Sequence, residues 1–339
     1  MPAQPAHVPL AVATRGGRDE SWHYGAVAVA DRDGRLLFAA GDAQQAVFSR
    51  STLKPLQALP FVRDGGPDRF GFDAPQVALL CASHTGEPQH VAAVAGMLAR
   101  AGNSADDLQC GTHVPGHFEL HGAIPPPPPY PVLAHNCSGK HAGMLACCAL
   151  HGWRKDDYLD LAHPLQQEIR HAVASYARVA PEAMAVGIDG CSAPNYALPL
   201  AALAGAFARL ACGDDDGGRW KGAPARLRDA MAAHPTMVSG SGHSDEALMR
   251  AGGGDWVAKI GAEGVQALGV GSRGLGIAVK VADGSRRALG PAVVAVLDQL
   301  GLLDDARRAA LAGLAHRTLR NYRGLDTGEL RPAVELRAC

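Results

Sequence analysis

The chain has 339 residues, of which 47% are hydrophobic and 19% are charged, and its formal net charge is −1. This composition is typical of a folded globular protein, and a charge so close to zero gives no electrostatic basis for binding nucleic acid or a membrane surface. The sequence contains no run of roughly 20 apolar residues that could cross a membrane, and its first residues do not resemble a secretory signal. We therefore expect neither a nucleic-acid partner nor a membrane partner.

The eight cysteines lack the compact spacing of disulfide-bonded domains. Several of them lie in apolar stretches, where buried free thiols are common. The pattern predicts a reduced protein and a cytoplasmic location.

Apolar segments at the two ends of the chain predict strands. Residues 8–13, 22–30 and 35–40 are predicted to form an antiparallel meander, with turn residues at Asp31 to Gly34. Further strands are predicted at 256–261, 265–270 and 274–281. Apolar residues at helical spacing predict helices over 88–100, 160–177, 197–212, 290–300 and 304–315, and polar, glycine-rich segments predict loops over 103–121 and 234–245.

This layout predicts the fold class. Strands at both ends of the chain need partners, and one mixed antiparallel sheet built from both ends satisfies them. We expect an α+β fold in which residues 1–339 form a single catalytic unit. Residues 8–48 and 255–339 supply the sheet, and about 55–250 form a largely helical insertion.

Ser51-x-x-Lys54 is the motif around which the functional interpretation is built. The spacing brings a hydroxyl and an amine to one face of a helical turn. A serine becomes a good nucleophile when a base removes its proton, and a lysine of lowered pKa can be that base. Taken alone, the motif is also common by chance in capped surface helices.

The scarcity of lysine strengthens this interpretation. Only six of the 32 basic residues are lysine. Arginine cannot be deprotonated in proteins, so a retained lysine is informative where a neutral amine is needed. Lys54, Lys140 and Lys259 stand among apolar or small residues, whereas Lys155 and Lys221 have polar surroundings typical of a surface.

Three other polar clusters follow apolar segments. Ser83-His84 stands before a predicted helix, where the serine is either a reactive group or a helix cap. Asn136 to His141 gathers cysteine, lysine and histidine at a helix start, a position that favours polar ligands. Asp189-Gly190-Cys191 forms a glycine turn in which the aspartate is either functional or a turn residue.

Together with Lys259-Ile260-Gly261, these motifs resemble in content and order the rhizobial-type asparaginase family, also called asparaginase II. The resemblance spans roughly residues 8–283. It implies a serine β-lactamase/glutaminase-like fold, a homodimer, and hydrolysis of L-asparagine to L-aspartate and ammonia. The early Ser-x-x-Lys and the late lysine–glycine strand follow the order of serine β-lactamases.

The resemblance also implies the site. It assigns two catalytic tandems, Ser51 with Lys54 and Ser83 with Lys259, and we expect Ser51 to be acylated. The substrate-binding residues that it implies are Arg50, His84, Asn136, His141, Asp189 and Gly261. It further implies a zinc ion that modulates substrate affinity and is held by Cys137, Lys140 and Cys191.

Alternative functions remain open on the sequence. A glutaminase, an esterase or a lactamase could use the same scaffold, and a non-catalytic protein could bind zinc or an amino acid. The five prolines at 125–129 and the pair Ser244-Asp245 have no clear counterpart in the family pattern, which leaves the shape of the pocket open.

Overall fold

The computed structural model describes residues 6–339. Its strands, in chain order, are β1 (Val8–Arg15), β2 (Arg18–Asp31), β3 (Leu36–Ala40), β4 (Ala46–Phe48), β5 (Val186–Ile188), β6 (Pro194–Pro199), β7 (Trp256–Gly261), β8 (Val265–Val270), β9 (Leu275–Val281), β10 (Arg317–Arg320), β11 (Asp326–Pro332) and β12 (Arg337–Ala338).

Nine of these strands form one antiparallel sheet in the order β10-β11-β1-β2-β9-β8-β7, with β3 paired to β2 and β12 paired to β3. The first half of β2 pairs with β1, and its second half lies between β3 and β9. Strands from both ends of the chain therefore meet in the middle of the sheet, and the predicted α+β fold class is confirmed. The domain division stays a prediction.

The helices are α1 (Lys54–Arg63), α2 (Gly66–Phe70), α3 (Ala74–Leu79), α4 (Pro88–Arg100), α5 (Gly116–Leu120), α6 (Ser138–His151), α7 (Pro164–Ala177), α8 (Leu200–Cys212), α9 (Ala223–Ala233), α10 (Pro235–Ser239), α11 (Ser244–Ala251), α12 (Leu289–Gln299) and α13 (Asp305–Ala315). Within residues 6–339, no helix is both long and apolar enough to span a bilayer.

Two helices cover the two faces of the sheet. α8 lies directly on one face, where a Cβ placed at Gly269 would be 2.2 Å from the carbonyl oxygen of Phe207. α12 packs on β8, β9 and β11. Residues of α12 line a cavity together with Gln266, which is three positions from Gly269. Side chains an odd number of positions apart point to opposite faces of a strand, so α8 and α12 sandwich the sheet.

Three sequence predictions differ from the structure. The helix predicted over 197–212 begins at Leu200, because residues up to Pro199 pair with β4 as part of β6. The predicted loop 103–121 contains α5, and the predicted loop 234–245 contains α10 and the start of α11. In the first case strand pairing outweighs the helix propensity of alanine.

β4, β6 and β5 form a small second sheet next to the candidate functional region. β4 leads into a 3₁₀ turn at Arg50–Leu53, and α1 continues from it. This turn packs against β6, β7 and β8, so the Ser51 segment lies beside the late strands, as the motif order predicts.

Candidate active site

Lys54 is a buried amine at the first residue of α1, with only 1% of its surface exposed. Its Nζ donates hydrogen bonds to the carbonyl oxygen of Ala82 and, at 2.9 Å, to Ser83 Oγ. The contact differs from the pairing implied by the family resemblance, which joins Lys54 to Ser51. Ser51 is half-buried, and within the described part of the chain its hydroxyl makes no hydrogen bond.

Lys259 is a second buried amine and lies on β7 with none of its surface exposed. Its Nζ donates to the carbonyl oxygen of Ile260 at 2.9 Å and lies 3.3 Å from Asp245 Oδ2. Burial lowers the pKa of Lys259 to about 8, with a further contribution from the Lys54 charge, although Asp245 opposes the shift. A lysine with this pKa can exchange a proton near neutral pH.

Asp245 is a residue of this site that the sequence interpretation did not assign. It lies in the first turn of α11, fully buried, where Oδ2 accepts the amide of Ile260 and Oδ1 accepts Gln266 Nε2, both at 2.9 Å. Burial alone would raise its pKa, but the Lys259 charge and these hydrogen bonds hold the pKa below its usual value. In sequence it resembles an ordinary acid in a helix N-terminal turn, so only the tertiary pairing identifies it.

Arg50 and Asp189 form an ion pair beside Ser51. The Nε and a terminal nitrogen of Arg50 lie 2.9 and 2.8 Å from Asp189 Oδ1. Arg50 has a left-handed φ of 51°, and its backbone amide donates to Asn195 Oδ1 at 3.1 Å. Burial would raise the pKa of Asp189, but Arg50 and the Gly190 amide keep the pKa below its ordinary value.

Arg50 and Asn195 line an open cavity of about 510 Å³. Glu263 and Lys280 also line it. A cleft with charges of both signs next to the Ser51 turn is a suitable entrance for a small polar substrate. Asn195, like Asp245, was not assigned from the sequence.

His84 is buried and bonded to protein on both ring nitrogens. Its Nδ1 accepts from the Gly86 amide at 3.1 Å, so its Nε2 donates to Ser138 Oγ at 3.0 Å. Burial and the neighbouring His90 ring lower the pKa of His84 well below its ordinary value. A neutral ring held at both ends positions the Ser83 loop against α6.

Asn136 lies next to this loop and is half-buried. Its backbone carbonyl oxygen accepts a hydrogen bond from the His84 backbone amide at 3.1 Å, and its backbone amide donates to His113 Nε2 at 3.0 Å. Within residues 6–339 its side chain makes no hydrogen bond, which leaves the amide group available to a substrate.

Cys137, Lys140 and Cys191 meet at the start of α6. Lys140 Nζ donates to Cys191 Sγ at 3.0 Å. Cys191 and the nearby lysines lower the pKa of Cys137 well below its ordinary value, although burial opposes them. Burial would lower the pKa of Lys140, but the two thiols raise it. The structure thus gathers the predicted ligand set as a cluster of one amine and two thiols.

His141 stands behind this cluster. Its Nδ1 bonds to the Tyr158 hydroxyl at 2.7 Å, and burial lowers its pKa to about 4. Its Nε2 is buried beside Cys191 and, within the described residues, has no hydrogen-bond partner.

The thiol cluster has the chemistry for a soft cation but few ligands. Within residues 6–339, no group of three or more His, Cys, Asp or Glu side chains is placed to hold a metal. Two thiols suit zinc, and a deprotonated Lys140 amine would be the third ligand. The unpartnered His141 nitrogen adds a polar atom to the same buried space. The donor types therefore fit zinc, and the zinc site stays a prediction.

Gly261 brings β7 against the Ser51 turn. A Cβ at this position would lie 3.0 Å from the carbonyl oxygen of Ser49 and 3.2 Å from Arg50 Cβ. Glycine thus permits a close approach of two backbones. Gly261 thus lies directly against the turn that carries Ser51.

The predicted residues converge on one region. The charge of Lys54 contributes to the pKa shifts of both Lys259 and Cys137, and that of Lys140 contributes to the shift of Asp189. The Ser–Lys groups, the ion pair and the thiol cluster are therefore neighbours.

One of three comparisons with known proteins identifies a family. Residues 11–332 match the family model described as L-asparaginase II. The comparison with curated proteins gives no match. Among solved structures, a β-lactamase from Mycobacterium bovis is 16% identical to this chain, with a TM-score of 0.43, and the match covers 81% of this chain and 94% of that one. At that distance it carries no argument about the site.

Proposed function

Because the chain belongs to the L-asparaginase II family, we propose that it hydrolyses L-asparagine to L-aspartate and ammonia. The observation that carries the proposal is the pair of buried amines, Lys54 in contact with Ser83 and Lys259 with a pKa lowered to about 8. A buried lysine beside a hydroxyl, as Lys54 is beside Ser83, is what a serine amidohydrolase needs for proton transfer. Lys259, which the resemblance pairs with Ser83, contacts Asp245 and the Ile260 carbonyl oxygen instead.

Ser51 is the proposed nucleophile. Its hydroxyl is not engaged by any described group, whereas Ser83 is held by Lys54. With Lys54 in its neutral form, Ser51 attacks the side-chain amide carbon and its hydroxyl proton passes to Lys54 Nζ, directly or through Ser83. Lys259, in exchange with solvent near neutral pH, returns a proton to the leaving ammonia. Water then hydrolyses the acyl-enzyme.

Arg50 and Asp189 are the proposed recognition pair. An amino acid presents a carboxylate and an ammonium, and this pair offers a charge opposite to each of them. Since the pKa of Asp189 is held below its ordinary value, its carboxylate is ionised at neutral pH. Asn136 supplies an unengaged side-chain amide close by.

Cys137, Cys191 and Lys140 are the proposed zinc ligands. Zinc bound there would supply a fixed positive charge next to the substrate pocket and so tune affinity. The chain's own serine and lysine groups perform the hydrolysis. We also propose a homodimer, which sedimentation of the purified protein tests.

An ammonia-release assay tests the reaction. L-asparagine should be hydrolysed and Ser51→Ala should lose about a thousandfold or more in kcat, the usual scale for loss of a nucleophile. In the presence of hydroxylamine the wild type should form aspartate hydroxamate, which requires an acyl-enzyme. Preferred turnover of glutamine, an ester or a lactam would favour the alternative enzymes, and binding of asparagine without turnover would favour a non-catalytic protein.

A further inference from the structure

A second cavity lies on the side of the sheet away from the Ser–Lys groups. It has a volume of about 220 Å³. Its walls are mainly apolar and come from α11, α12, α13 and β11, through Leu248, Leu289, Val293, Val294, Leu314 and Leu330. Ile260 lines it, and the neighbouring Lys259 belongs to the Ser–Lys cluster. Adjacent strand residues point to opposite faces, so the two sites are separated by β7.

Three arginines contribute to the walls of this cavity. Arg286, Arg287 and Arg317 are all exposed and line it. Within residues 6–339, none of them has a carboxylate within 4.0 Å. Arg286 contacts His243 Nε2 at 3.3 Å. Arg287 donates to His23 and Ser21, and the Glu20 and Asp283 carboxylates lie close enough to interact with its charge. Arg317 makes no side-chain hydrogen bond to the described residues. The cavity therefore joins an apolar interior to a mouth with three arginines, of which Arg317 has no partner among the described residues.

Gln266 connects the cavity to the Ser–Lys side. It is 2% exposed, lines the cavity, and donates from Nε2 to Asp245 Oδ1 at 2.9 Å. Its side-chain oxygen Oε1 accepts no hydrogen bond from the described residues. Asp245 in turn lies 3.3 Å from Lys259 Nζ. A molecule in the cavity would thus be two hydrogen-bonded side chains away from Lys259.

We propose that this cavity binds a small monocarboxylate with an apolar tail. The carboxylate pairs with the guanidinium groups, for which charge-assisted hydrogen bonds are strong, and the tail fills the apolar interior. An apolar cavity of about 150 Å³ accommodates benzene, so this volume takes a ligand of on the order of ten non-hydrogen atoms. The site is independent of the proposed hydrolysis.

Calorimetric titration with hexanoate tests the site directly. Hexanoate should bind the wild type, and the neutral isostere hexanamide should bind about tenfold more weakly because it loses the charged contact. Arg317→Gln should weaken hexanoate binding about tenfold. The matched control Arg323→Gln, an exposed arginine outside the cavity, should leave binding within about twofold.

A cavity-filling variant tests in a second way whether hexanoate binds in this cavity. A Cβ at Gly313, which lines the cavity, would meet nothing within 4 Å, so Gly313→Leu should fold and should abolish hexanoate binding, while Gly313→Ala should retain it. Saturating L-aspartate should not displace hexanoate.

Three results would overturn the proposal. One is no binding to the folded wild type at hexanoate concentrations up to about 10 mM. The second is binding that both Arg317→Gln and Gly313→Leu leave intact. The third is competition by L-aspartate, which would place hexanoate in the Ser–Lys site.

Discussion

At the scale of single residues, the Lys259–Asp245 pair sets the electrostatics of the site. Both side chains are fully buried, and the attraction between buried charges must offset a large loss of hydration. Burial lowers the pKa of Lys259 from the ordinary 10.5 to about 8, so its amine can lose the charge more easily than an exposed lysine. Because the folded pKa is the lower one, the buried lysine favours folding more strongly as pH rises from about 8 towards 10.5.

Asp245→Asn should therefore destabilise the protein in a pH-dependent way. At pH 6 the variant leaves a charged Lys259 without its partner, and the loss should be about 3–5 kcal/mol. At pH 9 much of Lys259 is neutral, so the loss should shrink to about 1 kcal/mol. Urea unfolding at the two pH values measures both. The control Asp298→Asn, in an exposed pair with Arg308, should cost little at either pH, and an equal loss for Asp245→Asn at both would contradict the pairing.

The contact of two Arg50 nitrogens with Asp189 gives a second prediction at this scale. Arg50→Lys keeps the charge but cannot place two nitrogens on Asp189, so KM for L-asparagine should rise about tenfold with a smaller change in kcat. Arg226→Lys is the matched control, because Arg226 makes a similar two-nitrogen contact to the exposed Asp68. Steady-state ammonia release measures both variants. An unchanged KM for Arg50→Lys would remove Arg50 from substrate recognition.

The scarcity of lysine indicated three residues of the candidate site, and the motifs and the family resemblance supplied the others. Lys54, Lys140 and Lys259 are all buried, whereas Lys155 and Lys221 are exposed. A lysine retained in an arginine-rich chain was therefore informative because its amine can become neutral. Asp245 and the Lys54–Ser83 contact could not be predicted, because they depend on how α11 and the Ser83 loop pack against other elements.

At the scale of elements, the 3₁₀ turn that carries Ser51 is held by its approach to β7. Gly261→Ala should push this turn outward, because the added Cβ would lie 3.0 Å from the Ser49 carbonyl oxygen. Overpacking of this kind costs about 1–3 kcal/mol, and here we expect kcat to fall about tenfold as Ser51 moves.

Gly313→Ala is the control for this variant, since its Cβ meets nothing within 4 Å. It should leave kcat unchanged and raise stability by up to about 1 kcal/mol, as alanine does in helices. Thermal unfolding and ammonia release measure both variants. If Gly261→Ala kept full kcat, the turn would not need β7 to position its serine.

Elements with strong local signals were predicted well, and the pairing of short strands was not. α4 spans residues 88–100 as predicted, since its apolar periodicity is continuous. β4, β5 and β6 are three to six residues long and carry little periodicity. The pairing of these three strands into the small sheet that presents Arg50 and Asp189 was therefore missing from the prediction, although both residues were assigned.

At the scale of the whole molecule, the site forms only when distant segments meet. β11 near the C-terminal end pairs with β1 near the N-terminal end, and the site residues come from segments around 50, 83, 137, 189 and 259. Local sequence signals can predict the parts of such a site. Their mutual geometry depends on the complete sheet and on the helices α1 to α11 that the chain forms between its early and late strands.

Zinc binding is predicted to stabilise the whole fold, because its ligands join α6 to the turn between β5 and β6. A ligand that binds only the folded state stabilises it by about 2.7 kcal/mol at 100 times its dissociation constant. Chelator-treated protein should therefore melt at a higher temperature after zinc is added, with one zinc per chain by elemental analysis. Cys137→Ser and Cys191→Ser should lose both effects. Cys212→Ser, which changes a thiol outside the cluster, should keep them, and a zinc response that survives in Cys191→Ser would place the ion elsewhere.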